Sequence, residues 1–245
     1  MTLISMKLSV TNCFLIPAGG KYVLIDTGYE WEWASFQSGL KECEVAMADI
    51  SHLILTHHHD DHAGLLNMVV EQNPAIRIVM SALAKGLLAK GKNDHERGGG
   101  YVNRRVNALL RLKAAFDKKW THTFPPYIAR SSDILVENEI TLKEIGIDLK
   151  GRTLHTPGHS ADSISILIDN GDAFIGDAAA NFLQFAGTKY CIIYLEDLDQ
   201  YYESWKAIIS GGTRKLYPAH GKPFEVRKLE KYIYKNKARN MVRLS

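Results

Sequence analysis

The sequence has no run of about 18 apolar residues, so it offers no membrane-spanning helix. It has no CxxC pair either, because its three cysteines, Cys13, Cys43 and Cys191, are odd in number and far apart. They read as reduced, buried thiols of a reducing compartment, not as a disulfide frame. The opening residues, MTLISMK, lack the basic start and long apolar stretch of a secretory signal. The expectation is a cytoplasmic protein with no membrane partner. A strong charge of one sign is also missing: the net charge is +3, too small to argue by itself for nucleic acid. Repeats and low-complexity linkers are absent. What is left is ordinary globular composition over 245 residues, 46% hydrophobic and 23% charged, with length for a sizeable core.

Against that plain background stand six consecutive residues, His57, His58, His59, Asp60, Asp61 and His62. Imidazoles and carboxylates are a poor way to fill a core, since unpaired polar groups are costly to bury. They are well suited to hold a metal such as Zn, Fe or Mn. An apolar, strand-like run (Ile50 to Thr56) leads in, and Ala63, Gly64 and an apolar run from Leu65 to Val70 lead out. That order reads as strand, loop, helix, and α/β proteins place chemistry at the carboxyl ends of strands.

Three further candidates follow the same rule of an apolar approach and a turn of small residues: His159 in TPGHS, Asp177 in FIGDA and His220 in YPAHG. Asp26 ends the run YVLIDTG, and its expected role is to accept the second ring N–H of a ligand histidine, which fixes the tautomer and raises the basicity. Ser160, beside His159, reads as a turn or capping hydroxyl, so no serine nucleophile is expected.

The pattern His-x-His-x-Asp-His, met by His57, His59, Asp61 and His62 and followed by His159, Asp177 and His220, resembles the signature of the metallo-β-lactamase superfamily. The resemblance runs from the strand-like residues 10–16 to His220. It implies a single α/β domain over 1–245, a four-layer αββα sandwich with the metal site at one edge. It implies two divalent metal ions, zinc first with iron or manganese as alternatives. His57, His59 and His159 would hold one ion, Asp61, His62 and His220 the other, with Asp177 bridging. It implies a hydrolase in which a bridging hydroxide attacks a carboxylic ester, lactone or thioester of small-molecule size, with Asp61 as the catalytic carboxylate. A phosphodiesterase or nuclease on the same site and an iron-dependent oxidoreductase are the alternatives. Lactonase and type II glyoxalase members look most similar, but Ala180 stands where the lactonases carry a tyrosine three residues after the bridging aspartate. Tyr101 and Tyr127 are the tyrosines that could substitute for it.

Residues 83–130 exceed the minimal pattern. They read as a helical insertion: one helix over 82–90, a break at Gly98, Gly99 and Gly100, and a second helix over 102–119. Val106, Leu109, Leu110, Leu112 and Phe116 form its apolar stripe, and Arg104, Arg105, Arg111, Lys113, Lys118 and Lys119 make it basic. Trp120, His122, Phe124 and Tyr127 follow. Long insertions at such positions tend to be functional, so a lid over the metal site or a homodimer surface is expected. Nucleic acid is the less favoured partner. Elsewhere, helices are expected over 31–42, 63–73, 197–210 and 225–240, and strands over 7–16, 21–26, 51–56, 76–80, within 133–155, and over 163–168, 172–176 and 215–217.

Overall fold

Most strands of this chain are apolar on both faces, the pattern of sheets covered on both sides. The computed structural model describes residues 2–94, 98–116, 122–234, 238 and 241–244. Its first half runs β1 (Ile4–Lys7), β2 (Asn12–Ala18), β3 (Lys21–Ile25), α1 (Trp33–Glu42), β4 (Ile50–Ile54), a short turn of helix α2 (Asp60–Ala63), α3 (Leu66–Gln72), β5 (Arg77–Ser81), α4 (Ala84–Lys90), β6 (Gly100–Tyr101), α5 (Arg104–Phe116) and β7 (Ile134–Val136). The second half runs β8 (Gly151–His155), β9 (Ile164–Ile168), β10 (Asp172–Gly176), β11 (Tyr194–Leu195), α6 (Leu198–Ser210), β12 (Lys215–Pro218), β13 (Phe224–Glu225), α7 (Arg227–Tyr234) and β14 (Val242–Arg243). One sheet has the order β1-β2-β3-β4-β5-β7, the other β13-β12-β10-β9-β8, and a small third sheet has the order β11-β6-β14.

Alternation along each strand builds the layers. Phe14 and Ile16 of β2, Val23 and Ile25 of β3, Ile54 and Val79 meet Ile164, Ile166, Phe174 and Tyr217 of the second sheet in one buried cluster. The intervening residues Leu15, Leu24, Leu53, Ile78 and Met80 turn the other way and pack on Phe36 and Leu40 of α1, Leu66 and Val69 of α3 and Leu88 of α4. In the second sheet Leu167, Ala173, Ile175 and Leu216 face Val106 of α5, Tyr201, Trp205 and Ile208 of α6, and Leu229 of α7. The result is helix, sheet, sheet, helix, the four layers that the resemblance implies. Helix α6 begins where the Asp197 carboxylate caps the amides of Asp199 and Gln200 at 2.9 and 3.0 Å.

Most expected elements are present with shifted ends, but the strand expected over 7–16 is broken: residues 8–11 turn the chain between the antiparallel strands β1 and β2. The insertion differs more. Its glycine break carries strand β6, which joins β11 and β14 in the small sheet. On α5 only Val106 and Leu110 of the expected stripe are buried, while Leu109 and Leu112 are exposed beside the basic residues Arg104, Arg105, Arg111 and Lys113. Lys118, Lys119, Trp120 and the side chain of Phe116 lie outside the described residues. Phe124 and Tyr127 pack into the core behind the first sheet. The expected basic helix at 225–240 is described only as α7, and residues 235–237, 239 and 240 lie outside the described residues. Cys13 and Cys191 are buried free thiols, as expected, whereas Cys43 is half-exposed. Among the described residues no helix is long and apolar enough to cross a membrane.

Phe14 joins the two sheets: its ring lies 5.2 Å from Phe174 and 5.7 Å from Tyr217. Phe14→Ala should lower unfolding free energy by about 3–5 kcal/mol. Urea denaturation in the presence of chelator, so that metal binding does not mask the change, would show it. A loss below about 1 kcal/mol would mean that the sheet interface closes over the gap.

Candidate metal centre

Four strand ends deliver the site. His57 to His62 follow β4, His159 follows β8, Asp177 follows β10 and His220 follows β12. Backbone hydrogen bonds lock these turns together across both sheets: Ile164 N to Thr56 O at 2.8 Å, Ala219 N to Gly176 O at 3.0 Å, and Asn12 N to Ala219 O at 2.8 Å. Two glycines permit the approach. A side chain at Gly158 (φ +125°) would collide with the Tyr201 backbone of α6, and one at Gly176 (φ +46°) would collide with Thr56.

The structure brings all seven expected ligands to one place. His159 Nε2 lies 3.1 Å from His57 Nε2 and 2.9 Å from His59 Nδ1. His220 Nε2 lies 3.2 Å from Asp61 Oδ2, and His62 Nε2 lies 3.7 Å from Asp61 Oδ1. Asp177 stands between the two groups. Its Oδ2 is 3.3 Å from His159 Nε2, and its Oδ1 is 3.2 Å from His220 Nε2 and 3.6 Å from His62 Nε2. The donors gather as His57, His59 and His159, as Asp61, His62 and His220, and, across the two, as His57, His62 and Asp177. Metal–nitrogen arms of about 2.0–2.1 Å in a tetrahedron place ligand atoms roughly 3.3 Å apart, close to these spacings. His62 Nε2 and Asp177 Oδ1 are buried with no hydrogen-bond partner, which a cation would repair. The residues fit the metals that the resemblance implies.

The opposite edges of the rings explain which atoms face inward. His62 Nδ1 reaches Asp26 Oδ2 at 2.9 Å, His159 Nδ1 the Tyr194 carbonyl at 2.9 Å, and His220 Nδ1 the Val10 carbonyl at 3.0 Å. His57 Nδ1 lies 3.2 Å from Thr56 Oγ1, whose own proton goes to Asp26 Oδ2 at 2.8 Å. Each contact leaves Nε2 directed at the site. Asp26 thus takes the place expected of it and holds more than one partner, since Thr56 N also donates to its Oδ1 at 2.7 Å. It does so at φ 57°, a left-handed conformation that aspartate tolerates better than most residues.

Charge follows from burial and proximity. Burial lowers the pKa of His57 and of His159, so both stand ready as neutral ligands. Burial would also lower that of His62, but Asp61, Asp26 and Asp177 outweigh it and push His62 up to about 9. His220 is likewise raised well above its ordinary value against the pull of burial, chiefly by Asp177 and then Asp61. Burial opposes ionisation of Asp177, yet His220, His159 and His62 hold its carboxyl below the usual range.

Several partners were not foreseen from sequence. His58, the middle histidine of the run, faces away: its Nδ1 lies 2.9 Å from Asp162 Oδ1 and its Nε2 accepts from Asp94 N at 3.1 Å. Asp60 exchanges hydrogen bonds with Asn93 at 2.8 Å in both directions. The two residues between the ligands therefore tie the insertion to the ligand turn. Thr11 Oγ1 donates to Asp61 Oδ2 at 3.2 Å, and Tyr201 donates to the Asp177 carbonyl at 3.0 Å. The doublets Asn93-Asp94 and Tyr201-Tyr202 carry no signal that would have found them. Ser160 meets Ser163 Oγ at 2.8 Å within its turn, as expected of it. Of the two tyrosines offered for the missing lactonase residue, Tyr101 lines the pocket at the site. Tyr127 does not, since its hydroxyl is committed to Asp133 Oδ2 at 2.6 Å.

Two outcomes follow. Asp26→Asn keeps an acceptor for Thr56 N but cannot take protons from both Thr56 Oγ1 and His62 Nδ1, so affinity for the cation near His62 should fall about 10–100-fold. Competition titration against a chromophoric chelator would measure it, and an unchanged curve would remove Asp26 from the site. Metal binding should also release protons at pH 7, because His62 and His220 are held protonated without metal. Affinity should therefore fall as the pH is lowered. Calorimetry in buffers of differing ionisation enthalpy reads the release, and zero release would show that both imidazoles start neutral.

The model of the metallo-beta-lactamase superfamily matches residues 6–220. The lactamase-like protein aptB of Emericella nidulans is 29% identical over 218 residues, covering 88% of this chain and 52% of that protein. The beta-lactamase-like protein 2 homolog of Drosophila melanogaster is 25% identical over 232 residues, 94% of this chain and 65% of that protein. The chain thus spans about half to two thirds of the length of these relatives. Among solved structures, an archaeal superfamily protein from Sulfolobus tokodaii has a TM-score of 0.63 at 18% identity, over 95% of this chain and 84% of that one. A subclass B3 metallo-beta-lactamase of Bradyrhizobium japonicum has 0.64 at 17%, over 95% and 87%. TTHA1623, crystallised in a di-iron-bound form, has 0.62 at 19%, over 94% and 98%. With the family model spanning the ligand turns and the same four-layer fold in its structural neighbours, the chain belongs to the metallo-β-lactamase superfamily.

Proposed function

We propose that this protein is a dinuclear metal-dependent hydrolase of carboxylic esters, lactones or thioesters. The carrying observation is Asp177, whose two oxygens are divided between the two donor triads. On this reading His57, His59 and His159 hold one cation, Asp61, His62 and His220 the second, and Asp177 joins them. Divalent cations bound there lower the pKa of water toward neutrality and polarise a carbonyl oxygen.

The chain's own groups supply the rest. Asp61 Oδ2 meets Thr11 Oγ1 and His220 Nε2 and its Oδ1 lies toward His62, so Asp61 would help hold the second cation and orient the attacking water as the catalytic carboxylate. The hydrogen bonds behind each imidazole keep the ligands from turning as charge develops, so little reorganisation is needed. Tyr101 lines the same pocket, which supports a role for its hydroxyl as a donor to a substrate oxygen. Tyr101, Leu110 and Lys113 bring the insertion onto that wall, which supports the lid reading over the homodimer reading. The mostly apolar lining favours a small-molecule acyl substrate over a phosphodiester.

The test is a paired initial-rate assay on protein loaded with zinc, manganese or iron. The substrates are aryl esters, lactones and thioesters in one set and an activated phosphodiester in the other. Turnover is expected in the carboxylic set, and Asp177→Ala should abolish it while elemental analysis shows the loss of at least one metal per chain. Full activity in Asp177→Ala would refute the ligand assignment. Turnover confined to the phosphodiester would overturn the substrate class.

A further inference from the structure

We propose that the substrates of this centre carry a bulky apolar acyl group, and that Leu244, directly after strand β14, belongs to the wall that selects it. The inference rests on the hydrolase reading above. A cavity of about 370 Å³ opens onto His59, Asp61, His159, Asp177 and His220. That size falls within the roughly 300–1,000 Å³ of ligand pockets and is far more than an acetyl group fills. Beyond the ligands the surface it exposes is mainly apolar, with Leu110 from α5, Leu183, Ile192, Ile193 and Leu244 beside the aromatic residues Phe182 and Tyr194. The polar residues on the same wall include Lys113, His122 and Tyr101, and the pair Asp60 and Asn93, which hydrogen-bond each other. The apolar stretch suits an alkyl or aryl group, which needs only the removal of water, with the polar groups left for the ester head.

The wall is held in register with the reacting centre by the small sheet. Tyr101 of β6 pairs with Tyr194 of β11 on one side and Val242 of β14 on the other. The Tyr194 carbonyl faces His159 Nδ1 at 2.9 Å, and Leu244 N donates to Gly99 O at 3.1 Å. One three-stranded unit therefore carries a ligand's anchor and holds Leu244, the residue after β14, beside it. Leu244 is 45% exposed, so a long acyl chain would gain by covering it.

The experiment compares phenyl acetate, butanoate, hexanoate and octanoate, each rate normalised to its hydroxide reactivity, on the metal-loaded protein. kcat/KM should rise by up to about fourfold per methylene until the chamber is full. Leu244→Asp, at a half-exposed position outside the metal site, should lower the octanoate value roughly tenfold and leave the acetate value within about twofold. Leu244→Phe should move the optimum to a shorter chain. Calorimetric binding of octan-1-ol against ethanol gives a readout that needs no turnover, and Leu244→Asp should weaken octanol binding roughly fivefold or more. Equal rates along the series with no octanol binding would overturn the chamber while leaving the hydrolase reading intact. Octanol binding that Leu244→Asp weakens, with no ester cleaved, would support the chamber and overturn the hydrolase reading. Preference for octanoate unaltered by Leu244→Asp would remove Leu244 from the selecting wall.

Discussion

The contact between Asp26 and Thr56 is the interaction on which the site depends. One buried carboxylate takes three protons, from Thr56 N, Thr56 Oγ1 and His62 Nδ1. Thr56 in turn presents Oγ1 to His57, gives its carbonyl to Ile164 in the second sheet, and packs where Gly176 has no side chain. A single node therefore orients a histidine of each triad and fixes the distance between the sheets that carry them. Burying a carboxylate is costly, and these three hydrogen bonds to its two oxygens offset that cost.

Around that node the chain keeps an arrangement that packing alone would not tolerate. Seven polar side chains meet at the edge of two apolar sheets, and His62 Nε2 and Asp177 Oδ1 have no hydrogen-bond partner. Without metal, protons on His62 and His220 compensate the carboxylates. A cation would do so better, because it accepts from every lone pair at once. The same economy appears in the residues between the ligands. His58 and Asp60 fasten Asp94 and Asn93, so the turn that builds the centre also anchors the insertion.

Membership of the superfamily fixes the architecture and the kind of centre, and function beyond that lives in the pocket wall. The relatives and the fold neighbours share the scaffold at 15–29% identity, a range in which loops diverge freely. In this chain the wall is assembled from three separate stretches, around Tyr101, around Ile192 and at Leu244, joined by a sheet of two-residue strands.

The candidate ligands were legible in the sequence because their signal is local: histidine and aspartate in tight spacing after an apolar strand, and loop residues framed by glycine and proline. The four layers came with the family resemblance that those residues carry, while the apolar runs marked only single strands. Tertiary structure alone decided what has no local signature. It turned Nε2 of His159 and His220 to the site through carbonyls of Tyr194 and Val10 that any residue could supply. It turned His58 away from the site through Asp162, more than a hundred positions downstream. It also placed strands β6, β11 and β14 side by side, because two-residue strands carry no periodicity and are held only by partners distant in sequence.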